Sequence, residues 1–402
     1  MAHPATSISV HRPEIRLLLA CAKSAARMHP DPELELLLSQ PLEWEDVFLL
    51  ADDHGLVPIL AQQLRSRHHT APPAICDRIQ QAATMNDRRN LLFSAELLRI
   101  ARAFTASGIR FLPHKGVVLN DYLYGSSSLR RVTDIDLIVR PVDRLKAAAC
   151  LETLGYRSAL HMKPHLESAA IQHTHEWLYL RDGLQVDLHW QLVDHASWPS
   201  FRMDTAWSDL VSFHWQSLEV SMLPPELLLV VLGLHAAEHE WNQLQMFTDI
   251  AALVERNPKL NWEKVEEFVS DSHARRSLCV SLWLAHFYLN EFLPQQVLQR
   301  IKSDTRVMQI GTIIATQCWT APDTKVAAGF RWLLFRTQGE RFSDRWRYVL
   351  SMLLLPKMAD FQNYEAGPRF TWIYFLSRPL RLILRRLHLS FQHPPRVNDS
   401  GA

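Results

Sequence analysis

The run Arg130-Arg131-Val132-Thr133-Asp134-Ile135-Asp136-Leu137-Ile138-Val139 decides the reading of this chain. Polar and apolar residues alternate along it, which is the period of a half-buried strand. Asp134 and Asp136 fall on one face; Ile135, Leu137 and Val139 fall on the other. Residues i and i+2 of a strand stand about 6.6 Å apart on the same side. Two carboxylates at that spacing can bracket a pair of divalent ions about 3.5–4 Å apart, the arrangement of two-metal phosphoryl transfer. Such a site usually draws a third carboxylate from a neighbouring strand. Gln185-Val186-Asp187-Leu188-His189-Trp190 offers one. There Val186 and Leu188 face a core, while Asp187 and His189 share the opposite side. Taken alone, Asp-x-Asp is also the pattern of a solvated strand face. The downstream Asp187 and an upstream Lys-Gly turn favour the functional reading.

That turn lies where a short β-like run, Ile109–Leu112, gives way to a helical stretch, Val117–Tyr124. A helix N-terminus presents free N–H groups and a positive dipole end to an anion such as a triphosphate. Gly116 lets the backbone approach phosphates closely. Lys115 adds a point charge and Arg130 a bidentate one. An ordinary strand–helix turn would carry the same two residues.

Working outward, the pattern predicts helices on both sides of a central α/β part. Residues 1–105 read as an N-terminal helical region, 106–195 as the α/β core and 196–325 as a second helical region. Residues 326–402 read as a helical C-terminal extension. The Arg181-Asp182-Gly183 turn joins Trp177–Leu180 to Gln185–Trp190 as a predicted hairpin. The fold class expected is therefore α+β, a small mixed sheet between helical regions.

Composition bounds the rest. The 402 residues carry 43 Lys+Arg against 42 Asp+Glu, a net charge of +1, which gives no whole-chain basis for nucleic-acid binding. Hydrophobic residues at 48% and charged residues at 21% describe a folded chain. Twelve glycines are few for a chain rich in tight hairpins. Five scattered cysteines with no C-x-x-C pair read as reduced thiols, hence a cytoplasmic setting. No signal peptide and no membrane-spanning segment is expected. Phe375–Arg386 is basic and amphipathic, with Arg378, Arg381, Arg385 and Arg386 among leucines. It reads as a helix packed on the protein with its arginines in solvent, or as a peripheral contact with an anionic membrane surface.

Lys115-Gly116, Tyr124, Leu129-Arg130, Asp134-Ile135-Asp136-Leu137-Ile138-Val139, Gly155-Tyr156 and Val186-Asp187-Leu188-His189-Trp190 together resemble a bacterial family of uncharacterised nucleotidyltransferase-like proteins. That family lies within the DNA polymerase β-like nucleotidyltransferase superfamily. The resemblance extends to Trp44 and His54-Gly55-Leu56-Val57-Pro58 upstream. Downstream it takes in Pro225-Glu226-Leu227-Leu228-Leu229, His235, His239, Trp241 and Asp249-Ile250, so that it covers roughly residues 30–290. It implies Asp134, Asp136 and Asp187 as carboxylates for Mg²⁺ or Mn²⁺, with an NTP as substrate. Lys115, Gly116 and Arg130 would meet its phosphates, and His189 would stand beside the metal site. Most of the superfamily has Gly-Ser or Gly-Gly at the first turn, where this chain has Lys115-Gly116. The implied reaction transfers an NMP to a hydroxyl of a small molecule, a protein or an RNA.

Two other readings compete. One is a non-catalytic module that keeps the fold and binds a nucleotide or a partner protein. The other is a zinc metalloprotease, since His235-Ala236-Ala237-Glu238-His239 matches H-x-x-E-H. The plainer reading of those histidines is packing within a helical layer. Trp190, next to the third carboxylate, is the tryptophan singled out as a candidate for base stacking.

Overall fold

The computed structural model describes residues 12–65, 67, 70–159, 174–192, 206–270, 274–289, 292–317, 346, 350 and 353. The chain forms two compact units, Met1–Ala159 with His175–Arg345, and Leu160–Thr174 with Trp346–Ala402. In the second unit Trp346, Leu350 and Leu353 are helical. The tail Phe375–Arg386 lies outside the described residues. Every element below belongs to the first unit.

Five helices come first: α1 (Pro13–Arg27), α2 (Leu34–Leu38), α3 (Trp44–Asp53), α4 (Val57–Leu64) and α5 (Pro73–Ala106). Gly55, at φ +72°, makes the break between α3 and α4. A five-stranded sheet follows. Its strands are β1 (Phe111–His114), β2 (Ile135–Val139), β3 (Arg157–Ser158), β4 (Glu176–Arg181) and β5 (Leu184–His189). Helix α6 (Gly116–Tyr124) connects β1 to β2, and α7 (Arg144–Thr153) leads from β2 to β3. The strand order is β1-β2-β5-β4-β3. The β2–β5 pair is parallel and the other pairs are antiparallel, so the sheet is mixed and the fold is α+β.

Each strand's chemistry fits its place. β2 is buried along its whole length, as a strand inside a sheet covered on both faces must be. β1 is at the edge, where the missing N–H of Pro113 costs no ladder bond. It begins two residues later than the run read as a strand from the sequence. Pairing with β2 sets this start, since Phe111 stands opposite Val139 and His114 opposite Asp136. The β4–β5 turn has Asp182 at φ +48° and Gly183 at φ +75°, the two left-handed positions of a type I′ hairpin.

Within the stretch read as helical, β6 (Val211–Trp215) and β7 (Leu218–Met222) form a separate hairpin. Its two-residue turn has Gln216 at φ +52° and no glycine, so the usual turn signal is missing. The remaining helices among the described residues of this unit are α8 (Pro225–Glu238), α9 (Leu244–Arg256), α10 (Trp262–Ser270), α11 (Arg275–Leu289), α12 (Gln295–Ser303) and α13 (Thr305–Gln317). α8 is apolar on nearly every side and is buried accordingly. A Cβ at Gly233 would lie 2.6 Å from Leu278 Cδ1, so glycine lets α8 and α11 approach. Ser281 Oγ donates to Gly233 O at 2.6 Å and accepts from Trp241 Nε1 at 2.7 Å, a satisfied polar link inside this core. α1 packs on α9, so the N-terminal helices and the later helices share one core. Among the described residues no helix is long and apolar enough to cross a membrane.

Candidate active site

The pairing registers assemble the site. His114 on β1, Asp136 on β2 and Asp187 on β5 stand in one row across the sheet. Ile138, His189 and Glu176, two residues further along the strands, form the next row on the same face. Because side chains alternate along a strand, residues two apart share a face. His114, Asp136, Asp187, His189 and Glu176 therefore lie on one side, with Asp134 at the entry to β2. The opposite side presents Leu137, Leu188 and Trp177 to the core.

Asp136 is the centre of this face. His189 Nε2 is 2.9 Å from Asp136 Oδ1, and Lys115 Nζ is 4.0 Å from Asp136 Oδ2. Lys115 Nζ also donates to His235 Nδ1 at 3.3 Å. His189 Nδ1 is 3.3 Å from Glu176 Oε2, and His175 Nε2 is 3.5 Å from the same oxygen.

Charge follows geometry. Burial alone would raise the Asp136 carboxyl, but Lys115 and His189 outweigh it and hold the group well below the usual carboxylate range. Asp187 is pushed up to about 7, first by burial and then by the charge of Asp136. Asp134 is raised for the same two reasons. His114 and His235 are driven well below their ordinary value by burial and by Lys115, so both are neutral near pH 7. Burial would lower His189 as well, but its bond to Asp136 raises it. The result is one firmly ionised carboxylate flanked by two that resist ionisation. A set of hard oxygen donors under mutual repulsion suits a divalent cation.

Lys115 adopts φ +57°, ψ −137°, and Gly116 follows at φ +57°. A non-glycine residue in that region is strained. The double left-handed turn swings the chain from β1 into α6 and brings Lys115 back over Asp136. A Cβ on Gly116 would have Asp134 O as its neighbour at 3.8 Å.

Arg130 is held deeper. Its Nε donates to Asp249 Oδ2 at 2.9 Å, and Tyr124 Oη donates to Asp249 Oδ1 at 2.7 Å. Its backbone N–H reaches Asn120 Oδ1 at 3.0 Å, and Asn90 Nδ2 donates to its carbonyl at 3.1 Å. Next along the chain, Gln245 clamps both backbone groups of Arg131. This network pins the segment that delivers Asp134 and Asp136. It also accounts for the His54-Gly55 motif. His54 Nδ1 accepts from Leu244 N at 3.3 Å, and a Cβ at Gly55 would stand 2.7 Å from Gln245 Oε1.

The structure thus gathers Asp134, Asp136, Asp187, Lys115, Gly116 and His189, and sets Arg130 behind them in an ion pair. His114 and Glu176 were not singled out from the sequence, because only the strand register reveals them. His235, read mainly as a packing residue, touches Lys115. Trp190 is buried, with the Arg144 guanidinium 5.1 Å from its ring centre, and offers no exposed face for stacking a base. His235 and His239 have ring centres 4.4 Å apart, but Glu238 is exposed. Among the described residues, the triad of His235, Glu238 and His239 does not converge on a common point.

A family model described as uncharacterised nucleotidyltransferase matches residues 40–290, more than half of the chain. The chain belongs to this nucleotidyltransferase family. No curated protein matches it. Among solved structures, it resembles the solution structure of the antibiotic-resistance factor ANT(2'')-Ia at 18% identity and a TM-score of 0.32. That match covers 50% of this chain and 99% of the other.

Proposed function

We propose that the protein transfers an NMP from an NTP to a hydroxyl-bearing acceptor, with Asp134, Asp136 and Asp187 as the carboxylates of the reaction. Family membership supports nucleotidyl transfer. The observation that carries the finer reading is the row of Asp136 and Asp187 on adjacent parallel strands, with Asp134 two residues before Asp136. Two Mg²⁺ or Mn²⁺ ions held by these carboxylates would supply Lewis acidity to the attacking and leaving oxygens.

The chain's own residues account for the rest. Lys115 and the N–H groups at the start of α6 present positive charge where an NTP would lay its phosphates. Arg130 adds positive potential from behind the carboxylates and keeps their segment in place. His189 orients Asp136 through its hydrogen bond. The acceptor oxygen bonds to the α-phosphorus, the bond to pyrophosphate breaks, and one carboxylate takes the acceptor's proton. With a net charge of +1, the chain gives RNA no advantage over a small molecule or a protein side chain as acceptor.

Parallel incubations with α-³²P- and γ-³²P-labelled NTP, Mg²⁺ and a cell extract test this proposal. Nucleotidyl transfer leaves the α label on an acceptor and the γ label in pyrophosphate. Transfer of the γ label to the acceptor would replace it with a kinase reaction. Transfer of neither would favour a binding module.

A further inference from the structure

The face that holds the three aspartates carries a second donor set, of which nucleotidyl transfer uses only His189, as the partner of Asp136. His175 immediately precedes β4, Glu176 begins β4 and His189 ends β5, and their ligand atoms all lie within 4.8 Å of one another. The two imidazole nitrogens converge on a single oxygen, Glu176 Oε2, at 3.5 Å from His175 and 3.3 Å from His189. Charge-assisted hydrogen bonds are shorter, about 2.7–2.9 Å. Around a tetrahedral ion with bonds of about 2.0–2.1 Å, neighbouring ligand atoms stand about 3.3–3.4 Å apart. Two edges of such a tetrahedron are already in place.

The other nitrogen of His189 strengthens the case. Nε2 is 2.9 Å from Asp136 Oδ1, so the ring stands with Nε2 on one carboxylate and Nδ1 on another, Glu176. A carboxylate that receives the far N–H of a histidine is also the standard support of a metal-bound imidazole. One dication would serve both histidines at the same oxygen.

We propose that His175, Glu176 and His189 bind one borderline divalent transition-metal ion of the Zn²⁺ type. Two nitrogens and one carboxylate oxygen suit such an ion, while Mg²⁺ takes oxygen ligands. Three protein ligands leave a fourth position open. The Glu176 side chain is 48% exposed, so the ion can enter from solvent. Through His189 this site shares Asp136 with the aspartate set, and its occupancy fixes which nitrogen faces that carboxylate.

The test uses the full chain, stripped with a chelator and titrated with Co²⁺ and then Zn²⁺. The readouts are visible absorption and elemental analysis. The expected result is one equivalent of Co²⁺ with the absorption of a tetrahedral site, displaced by Zn²⁺ and insensitive to millimolar Mg²⁺. His175→Ala and Glu176→Gln should each weaken binding at least tenfold, and Asp134→Asn should leave it unchanged. Glu176 is exposed and His175 lies outside the strand, so both variants should keep the wild-type circular dichroism. Absence of stoichiometric binding would overturn the proposal, leaving His189 as an imidazolium between two carboxylates. So would binding that survives His175→Ala and is lost in Asp134→Asn. No NTP is present, so the outcome is independent of whether nucleotidyl transfer is found.

Discussion

The pairing of Arg130 with Asp249 makes a quantitative prediction. The two side chains are 10% and 3% exposed, and their contact is 2.9 Å. Removing one partner of a buried pair leaves a charge without compensation, at a cost of about 3–5 kcal/mol. Asp249→Asn is the cleanest perturbation. Its amide oxygen can still accept from Tyr124 Oη, while its NH2 then faces Arg130 Nε, so the change removes both the charge and the acceptor of the pair. The expected loss is about 3 kcal/mol, a large share of the roughly 5–15 kcal/mol by which proteins are stable. Arg130→Met added to Asp249→Asn removes the orphaned guanidinium. The backbone of residue 130 stays anchored on Asn120 and Asn90, so the double variant should recover at least half of the loss. Urea unfolding followed by tryptophan fluorescence reads the effect, because Trp215 and Trp241 are fully buried. An Asp249→Asn protein within about 1 kcal/mol of wild type would refute the reasoning, since pairs screened by solvent contribute that little. An Arg130→Met protein of unchanged stability but lower NTP affinity would move the guanidinium from the core to the phosphates.

Two further outcomes follow. His54 is buried and its folded-state pKa is pushed down to about 4 by desolvation, against about 6.5 unfolded. The stability it contributes is full above the unfolded value and is lost as pH falls toward the folded one, about 3 kcal/mol between pH 7 and pH 4. Denaturation midpoints should therefore fall more steeply with acid in wild type than in His54→Asn, and parallel profiles would contradict this. Gly116→Ala meets no atom closer than Asp134 O at 3.8 Å, but it must hold φ +57°. It should lose about 1–2 kcal/mol in thermal unfolding, from backbone strain alone. A larger loss would mean that the Cβ meets an obstacle.

Much of this was legible before any coordinates. The alternation at 132–139 and around 185–190 marked two strands, and the Asp182-Gly183 turn marked the hairpin that joins the second of them to Trp177–Leu180. The set of motifs marked the family. What escaped has physical causes. Which strands pair, and in which register, is a tertiary fact, so no local pattern could bring His114 and Glu176 beside Asp136 and His189. The counter-ion of Arg130 lies 119 residues away on another helix, and a lone arginine before a strand reads equally well as a phosphate ligand. The β6–β7 hairpin turns on Gln216 without glycine. Trp190 follows a polar strand face, yet it is buried with the core.

The most direct test of the account is label transfer from α-³²P NTP in the presence of Mg²⁺, comparing wild type with Asp136→Asn. Asp136 bonds His189, faces Lys115 and stands opposite Asp187, so its charge is the one the site is built around. Wild type should transfer the label and the variant should fall by at least about 10³-fold, the equivalent of several kcal/mol of transition-state stabilisation. Equal transfer by the variant, or transfer that persists without a divalent ion, would contradict it.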